Sequence, residues 1–219
     1  MKTVCMIPAR SGSKRIPNKN IKDFLGKPII TYPIETAKAS GIFDDIIVYT
    51  DSDDIKKLVL NINGIHYKHR NNATDNETLT ETLLNFLNFE TWNNIDYLCI
   101  LLPTAVFVKS EHINLINAIG GNDAIITFCK YSHPIQRAFI HNFNTMKMIQ
   151  PENEFVRTQD LPITCYDAGQ MYFLNVKSFL EQKRIFMDNI YPIIIDAVDI
   201  DNPEDWKKAE AYYKALKEK

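Results

Sequence analysis

"TVCMIPARSGSKRIPNKN" spans residues 3–20 and changes character part-way along. "TVCMIP" (3–8) is a short continuous apolar run, the pattern of a strand buried on both faces. Residues 9–20 then carry Arg10, Lys14, Arg15 and Lys19, with Lys22 just beyond. Pro17 keeps this stretch from forming a regular helix. Ser11, Gly12 and Ser13 lie between the basic residues and let successive backbone N–H groups turn toward an anion. In an open α/β sheet, ligands bind where loops leave the carboxyl ends of strands, so the loop's charge points at that crevice. A polyphosphate fits such a loop, and a solvated basic loop is the plainer alternative. The spacing is neither G-x-G-x-x-G nor G-x-x-x-x-G-K-[ST], which disfavours dinucleotide and P-loop readings.

The same strand type recurs in "DDIIVYT" (44–50), "IDYLCILL" (95–102) and "DAIITF" (123–128), and strand character returns in 169–175 and 191–201. Between the strands, helical patterns cover 28–40, 52–62, 78–90 and 110–119, the last stopping before Gly120-Gly121. Pro33 unsettles the opening turn of the first of these. "NPEDWKKAEAYYKALKE" (202–218) is a terminal helix with proline and acids in its first turn. Strands alternating with helices predict right-handed crossovers and an α/β sandwich with a mainly parallel sheet covered on both faces. The alternation falters from Lys130 to Asp167, read as an inserted arm.

Composition narrows the function classes. With 219 residues, 45% of them hydrophobic, the chain can bury a large core. Twenty-five Lys+Arg against 27 Asp+Glu give a net charge of −2, without the basic excess of a nucleic-acid or membrane-surface binder. Cys5, Cys99, Cys129 and Cys165 form no C-x-x-C pair and read as buried thiols in a reducing compartment. With no signal-peptide or membrane-span pattern either, the cytoplasm is expected.

Three further stretches hold candidate chemistry. Asp199 and Asp201, if Val198–Asp201 is a strand, project from one face and suit a hard divalent cation such as magnesium. Capping of the following helix by Asp201 is the alternative. Asp51 and Ser52 end the "YTDS" run (49–52), as apt to cap a helix as to touch a ligand. Residues 154–173 crowd Arg157, Gln159, Asp160, Tyr166, Asp167 and Gln170 around Gly169, which suggests recognition of a polar small molecule or a polar surface loop. No nucleophile–base pair stands out. His66, His69, His112, His133 and His141 lack metal-ligand spacing, and Trp206 and the Phe/Leu stripe at 79–87 read as core.

"IPARSGSKRIPNKN" (7–20), "YTDS" and "VDIDNPEDWKKAE" (198–210), in this order, resemble the sugar-acid cytidylyltransferases, which make CMP-activated nonulosonic acids and CMP-Kdo. The resemblance covers essentially the whole chain. "RTQDLPITCYDAGQMYF" (157–173) is more similar to the pseudaminic acid cytidylyltransferases than to the N-acetylneuraminate enzymes. The latter usually carry an arginine and a Pro-Asn-Gly stretch where Tyr166, Asp167 and Ala168 precede Gly169 here. Legionaminate and N-acetylneuraminate are the next substrates in order.

The resemblance implies a Rossmann-like three-layer α/β/α sandwich of the nucleotide-diphospho-sugar transferase type, one domain over 1–219. It implies a homodimer, with 130–167 as a small dimerisation arm. It implies that Arg10, Ser13, Lys14, Lys19, Asn20 and Arg70 hold CTP, and that Asp199 and Asp201 bind magnesium. Lys19, Arg10 and Asp201 become the catalytic residues, with Asp201 or a metal-bound water to take the proton. The sugar, whose carboxylate needs a partner, is expected to meet Arg157, Gln159, Tyr166, Asp167 and Gln170. Leu102 stands where relatives often carry a glutamine, which puts a base or sugar contact of that glutamine in doubt. A nucleotide-sugar-binding protein or a glycosyltransferase on a similar sheet is the competing class. Neither would release pyrophosphate from CTP.

Overall fold

A computed structural model describes residues 1–218 apart from Asn72, Asp75, 89–93 and 119–120. The opening apolar run is β1 (Thr3–Ala9), buried along its whole length. A two-residue hairpin follows, β2 (Asp23–Phe24) and β3 (Lys27–Pro28), then α1 (Thr31–Ser40). Pro33 is tolerated because it lies in the first turn of α1, where the backbone N–H has no intrahelical acceptor. Next come β4 (Asp45–Thr50), α2 (Asp53–Leu60), β5 (His66–His69), α3 (Leu79–Leu87), β6 (Tyr97–Leu101), α4 (Ser110–Asn114) and β7 (Ala124–Lys130). An arm with the hairpin β8 (Phe139–Asn142) and β9 (Thr145–Met148) leads to β10 (Cys165–Asn175), α5 (Val176–Gln182), β11 (Ile190–Ile194) and α6 (Pro203–Lys217). The expected end of the 78–90 helix and the Gly120 stop fall partly outside the described residues.

Side-chain caps start the helices where the sequence signals them. Ser52 accepts the Ile55 N–H at the head of α2. Thr78 and Glu81 form a reciprocal capping box on α3, and Asn202 accepts the N–H groups of Glu204 and Asp205 on α6.

The main sheet has seven strands in the order β11-β7-β10-β6-β1-β4-β5. Every neighbouring pair is parallel except those of β10, which runs antiparallel to both β6 and β7. Alternation along β1 feeds two cores. Cys5, Ile7 and Ala9 pack with Ile34 and Ala37 of α1 and Ile55 and Val59 of α2. Val4 and Met6 face Leu83 and Phe86 of α3 and Phe179 of α5. This is the expected three-layer arrangement. A third cluster joins Ile16, Phe24, Tyr32 and Trp206, so the middle of the basic loop is pinned beneath α6.

Two expectations need correction, and one strand carries no sequence signal. The strand at 191–201 ends at Ile194, so Asp199 and Asp201 sit on an irregular segment, not on one strand face. The last sheet hydrogen bond there runs from Ile195 N–H to the Phe128 carbonyl, beyond which the chain leaves β7. Cys165 is exposed, because it opens β10 at the sheet's rim, whereas the other three cysteines are buried. Strand β5, "HYKH", was not legible, since an edge strand with mostly solvated side chains carries no apolar pattern.

Candidate active site

The chain leaves β1 toward β4 and β5 on one side and returns to β6 on the other, which makes the carboxyl end of β1 the topological switch point. A cleft of about 570 Å³ opens there. From the basic loop it is lined by Arg10, Ser13, Lys14, Arg15, Lys19 and Asn20. Arg70 follows β5, Leu102, Pro103 and Thr104 follow β6, and Asp201 closes the rim. All six residues expected to hold nucleotide thus share one cavity, although they span sixty positions of sequence between Arg10 and Arg70.

The loop is held from below and from the side. Ile16 is buried in the third core, and the Asn20 amide donates to the Arg10 carbonyl at 2.9 Å. Ser11 donates twice to Asp51, from its N–H to Oδ1 and from its hydroxyl to Oδ2, both at 2.8 Å. Asp51 therefore neither caps α2 nor lines the cleft; it clamps the loop, while Ser52 does the capping. Asp51→Ala is expected to raise the KM for CTP about tenfold through misplacement of the loop. An unchanged KM in steady-state assays would show that the clamp is dispensable.

Arg70 is almost fully buried, with its guanidinium donating to Glu77 at 2.6 Å and to Thr82 at 2.9 Å. Its Nε has no hydrogen-bond partner among the described residues. Glu77 and Thr82 were not singled out in the sequence, and both line the cleft.

Opposite charges meet at the other wall. Lys19 donates from Nζ to the Ile200 carbonyl at 2.7 Å. Burial lowers its pKa, with Asp201 and Asp199 pulling the other way. The two Nη groups of Arg15 donate to the two carboxylate oxygens of Asp201 at 3.0 and 3.1 Å. Asp199 keeps solvent contact, yet the surrounding protein raises its carboxyl pKa, Asp201 adds to the rise, and Lys19 opposes it.

Gly169 lies beside Asp199, where an added Cβ would stand 3.6 Å from Oδ1. Its φ of +60° falls at the irregularity of β10 between Asp167 and Tyr172. Asp167 accepts from the Tyr172 hydroxyl at 2.6 Å and from the Gly169 N–H at 3.0 Å.

The expected sugar residues divide into two groups. Because β10 is antiparallel, its beginning lies at the ligand edge, which brings Asp167 and Gly169 to Asp199. Gln170 is fully buried, its carbonyl accepts from the Leu102 N–H at 3.0 Å, and neither polar atom of its carboxamide has a partner among the described residues. Tyr166 packs on Tyr131 at 4.9 Å. Arg157 and Gln159 stand exposed on the arm, away from the cleft lining, with Arg157 paired to Asp160 at 2.7 Å.

A mainly parallel sheet with a cation-lined cleft at its switch point is the arrangement of an α/β protein that binds a polyanionic ligand such as a nucleotide. The chain belongs to the cytidylyltransferase family, whose sequence profile it matches over residues 4–218. It is 35% identical to the pseudaminic acid cytidylyltransferase of Campylobacter jejuni, over 98% of this chain and 97% of that one. It is 28% identical to a Helicobacter pylori protein described as a pseudaminic acid cytidylyltransferase and UDP-2,4-diacetamido-2,4,6-trideoxy-beta-L-altropyranose hydrolase, over 91% of this chain and 40% of that one. Its fold is similar to CMP:2-keto-3-deoxy-manno-octonic acid synthetase complexed with CTP. The TM-score is 0.71 at 17% identity, over 99% of this chain and 100% of the other.

Proposed function

We propose that the enzyme transfers the cytidylyl group of CTP to a nonulosonic acid, pseudaminic acid first, with legionaminic and N-acetylneuraminic acids next. The carrying observation is the convergence of Arg10, Lys14, Lys19, Arg70 and Asp201 on one cleft at the switch point. Family membership and the Campylobacter jejuni relative support CTP and pseudaminic acid as the substrates.

In this reading Arg10, Ser13, Lys14, Asn20 and Arg70 hold the nucleotide, and Lys19 neutralises charge on the phosphates. The sugar's 2-hydroxyl attacks the α-phosphorus in line, the bond to the β-phosphate oxygen breaks, and pyrophosphate leaves. Positioning and charge neutralisation carry such a step, so no enzyme nucleophile is required. Asp201, on the cleft rim, takes the hydroxyl proton.

Asp199 and Asp201 fit a magnesium ion, because a shared dication offsets the desolvation that chiefly lifts the Asp199 pKa and the repulsion from Asp201 that adds to it. Among the described residues no three histidine, cysteine or acidic side chains gather as a metal site, so phosphate oxygens would complete the ligand set. Bound there, the ion supplies charge compensation on the phosphates and makes the attacking hydroxyl more acidic.

Gln159, Tyr166, Asp167 and Gln170 are assigned to the sugar pocket, Gln170 from behind its wall because it is fully buried, and Arg157 on the arm is the charge partner of the sugar's carboxylate. Arg157→Ala is expected to raise the sugar KM far more than the CTP KM; equal effects on both would remove it from the sugar site. The chain is read as one domain with 130–167 as an arm on which a second copy packs, supported by exposed Phe139, Phe143, Phe155 and Ile163. A light-scattering mass near 25.3 kDa for fully active enzyme would overturn the dimer. No described helix is long and apolar enough to cross a membrane, and a cytoplasmic setting suits a CTP-dependent step.

The decisive experiment measures pyrophosphate release from CTP and magnesium with pseudaminic, legionaminic, N-acetylneuraminic and Kdo acids. Release with pseudaminic acid alone is expected. Silence across the panel, with CTP still bound, would overturn cytidylyl transfer to these acids.

A further inference from the structure

Resting on the reading of Asp199 and Asp201 as the cation pair, we propose that Arg15 is an exchangeable partner. In the nucleotide-free enzyme it neutralises Asp201, and when a divalent cation takes Asp201 it passes to the CTP phosphates. Arg15 was legible only as one charge among several in the basic loop. Its fork engages both carboxylate oxygens of Asp201, at 3.0 and 3.1 Å, so while the pair persists a cation meets a carboxylate whose charge is already compensated.

The pair is cheap to break. Arg15 and Asp201 keep 67% and 44% of their side-chain surface exposed, and exposed pairs hold their partners by a factor of about five at most. The exchange needs no loop rearrangement either, since the neighbouring Ile16 is anchored in the core and only the Arg15 side chain must swing. Both end points lie in one cavity, for Arg15 and Asp201 line the same cleft as Arg10, Lys14 and Arg70. A guanidinium is suited to both states, because its planar fork matches a carboxylate and a phosphate alike. Lys19 contrasts with it, being more enclosed and tied to the Ile200 carbonyl.

The consequence is a coupling between cation and nucleotide. Without the cation, Asp201 withholds Arg15 from the triphosphate; with it, Arg15 is released, and by linkage each ligand tightens the other. The counter-intuitive corollary is that removing the Asp201 charge strengthens CTP binding when no metal is present.

The test is calorimetric titration of CTP into wild type, Asp201→Asn, Arg15→Met and the double variant, each in EDTA and in magnesium, without sugar acid so that no turnover occurs. In EDTA, Asp201→Asn is expected to bind CTP about threefold to fivefold tighter than wild type, the factor by which an exposed pair holds its arginine. Most of that gain should disappear in the Arg15→Met background. Arg15→Met should weaken CTP binding about tenfold in magnesium and less than twofold in EDTA. A gain from Asp201→Asn that is equal in both backgrounds would overturn the proposal, since simple charge removal would then explain it. So would an equal loss from Arg15→Met with and without metal. If magnesium leaves wild-type CTP affinity unchanged while the EDTA cycle keeps its coupling, the cation reading falls and the competition between Asp201 and phosphate for Arg15 stands.

Discussion

Lys19→Met lowers kcat by about 10²- to 10³-fold, the cost of removing one preorganised charge from a site where charge develops. The side chain is aimed by its 2.7 Å bond to the Ile200 carbonyl and faces Asp199 and Asp201, so its ammonium is fixed before the phosphates arrive. Burial is the largest influence on its pKa and lowers it from 10.5, with Arg15 and Arg10 adding to the fall and the two aspartates opposing it. The sign follows directly. A lysine with a lowered pKa loses its charge sooner as pH rises, so the alkaline limb of kcat/KM in wild type, which reports the free enzyme, begins below that of a free lysine. Lys19→Arg keeps a charge at every accessible pH and should lose that limb. It recovers only part of the rate, because a planar fork cannot reproduce a point contact with one carbonyl. A Lys19→Met enzyme within tenfold of wild type, or an unchanged alkaline limb in Lys19→Arg, would remove Lys19 from the reacting centre.

What could be read in advance divides along physical lines. The buried strands, capped helices and cationic loop were legible because each is a local pattern: continuous apolar runs, Ser52 and Thr78 at helix starts, four basic residues around Gly12. The co-location of Arg70 with the loop came from resemblance alone, since only the pairing of β5 with β4 carries it to the cleft.

Other features depend on partners remote in sequence. Asp51 reads as a helix cap until the fold sets it against Ser11, forty positions away. Arg15 reads as one charge in a run until Asp201 meets it across 186 positions. Gln170 reads as a polar residue near a turn, but the antiparallel β10 carries it into the interior beside the β6 exit, where its carboxamide has no partner among the described residues. Asp199 and Asp201 were singled out on strand alternation, but their proximity arises on the irregular segment past the end of β11.

Asp199→Asn separates what this carboxylate does for folding from what it does for chemistry. Asparagine keeps the shape beside Gly169 and one carbonyl acceptor but removes the charge, so turnover in magnesium is expected to fall about 10³-fold. Stability should move the other way. The folded-state pKa of Asp199 is raised above its ordinary 3.8 by burial and by Asp201. A carboxyl of this kind favours the folded state below the unfolded-state pKa, and the advantage is lost as pH rises through the folded-state value. At neutral pH the ionised group is therefore a cost, and the variant should melt about 1–2 °C above wild type without metal, a small margin because the side chain keeps solvent contact. The two proteins should converge as pH falls below the ordinary carboxylate value. Added magnesium should raise the melting temperature of wild type and leave the variant nearly unmoved, since a cation that binds the folded state stabilises it by mass action. A variant that melts several degrees below wild type at neutral pH, or that gains as much from magnesium as wild type does, would mean that Asp199 braces the segment after β11 and does not wait for a cation. The opposite result identifies a group retained at the expense of stability, as expected of a residue held for chemistry.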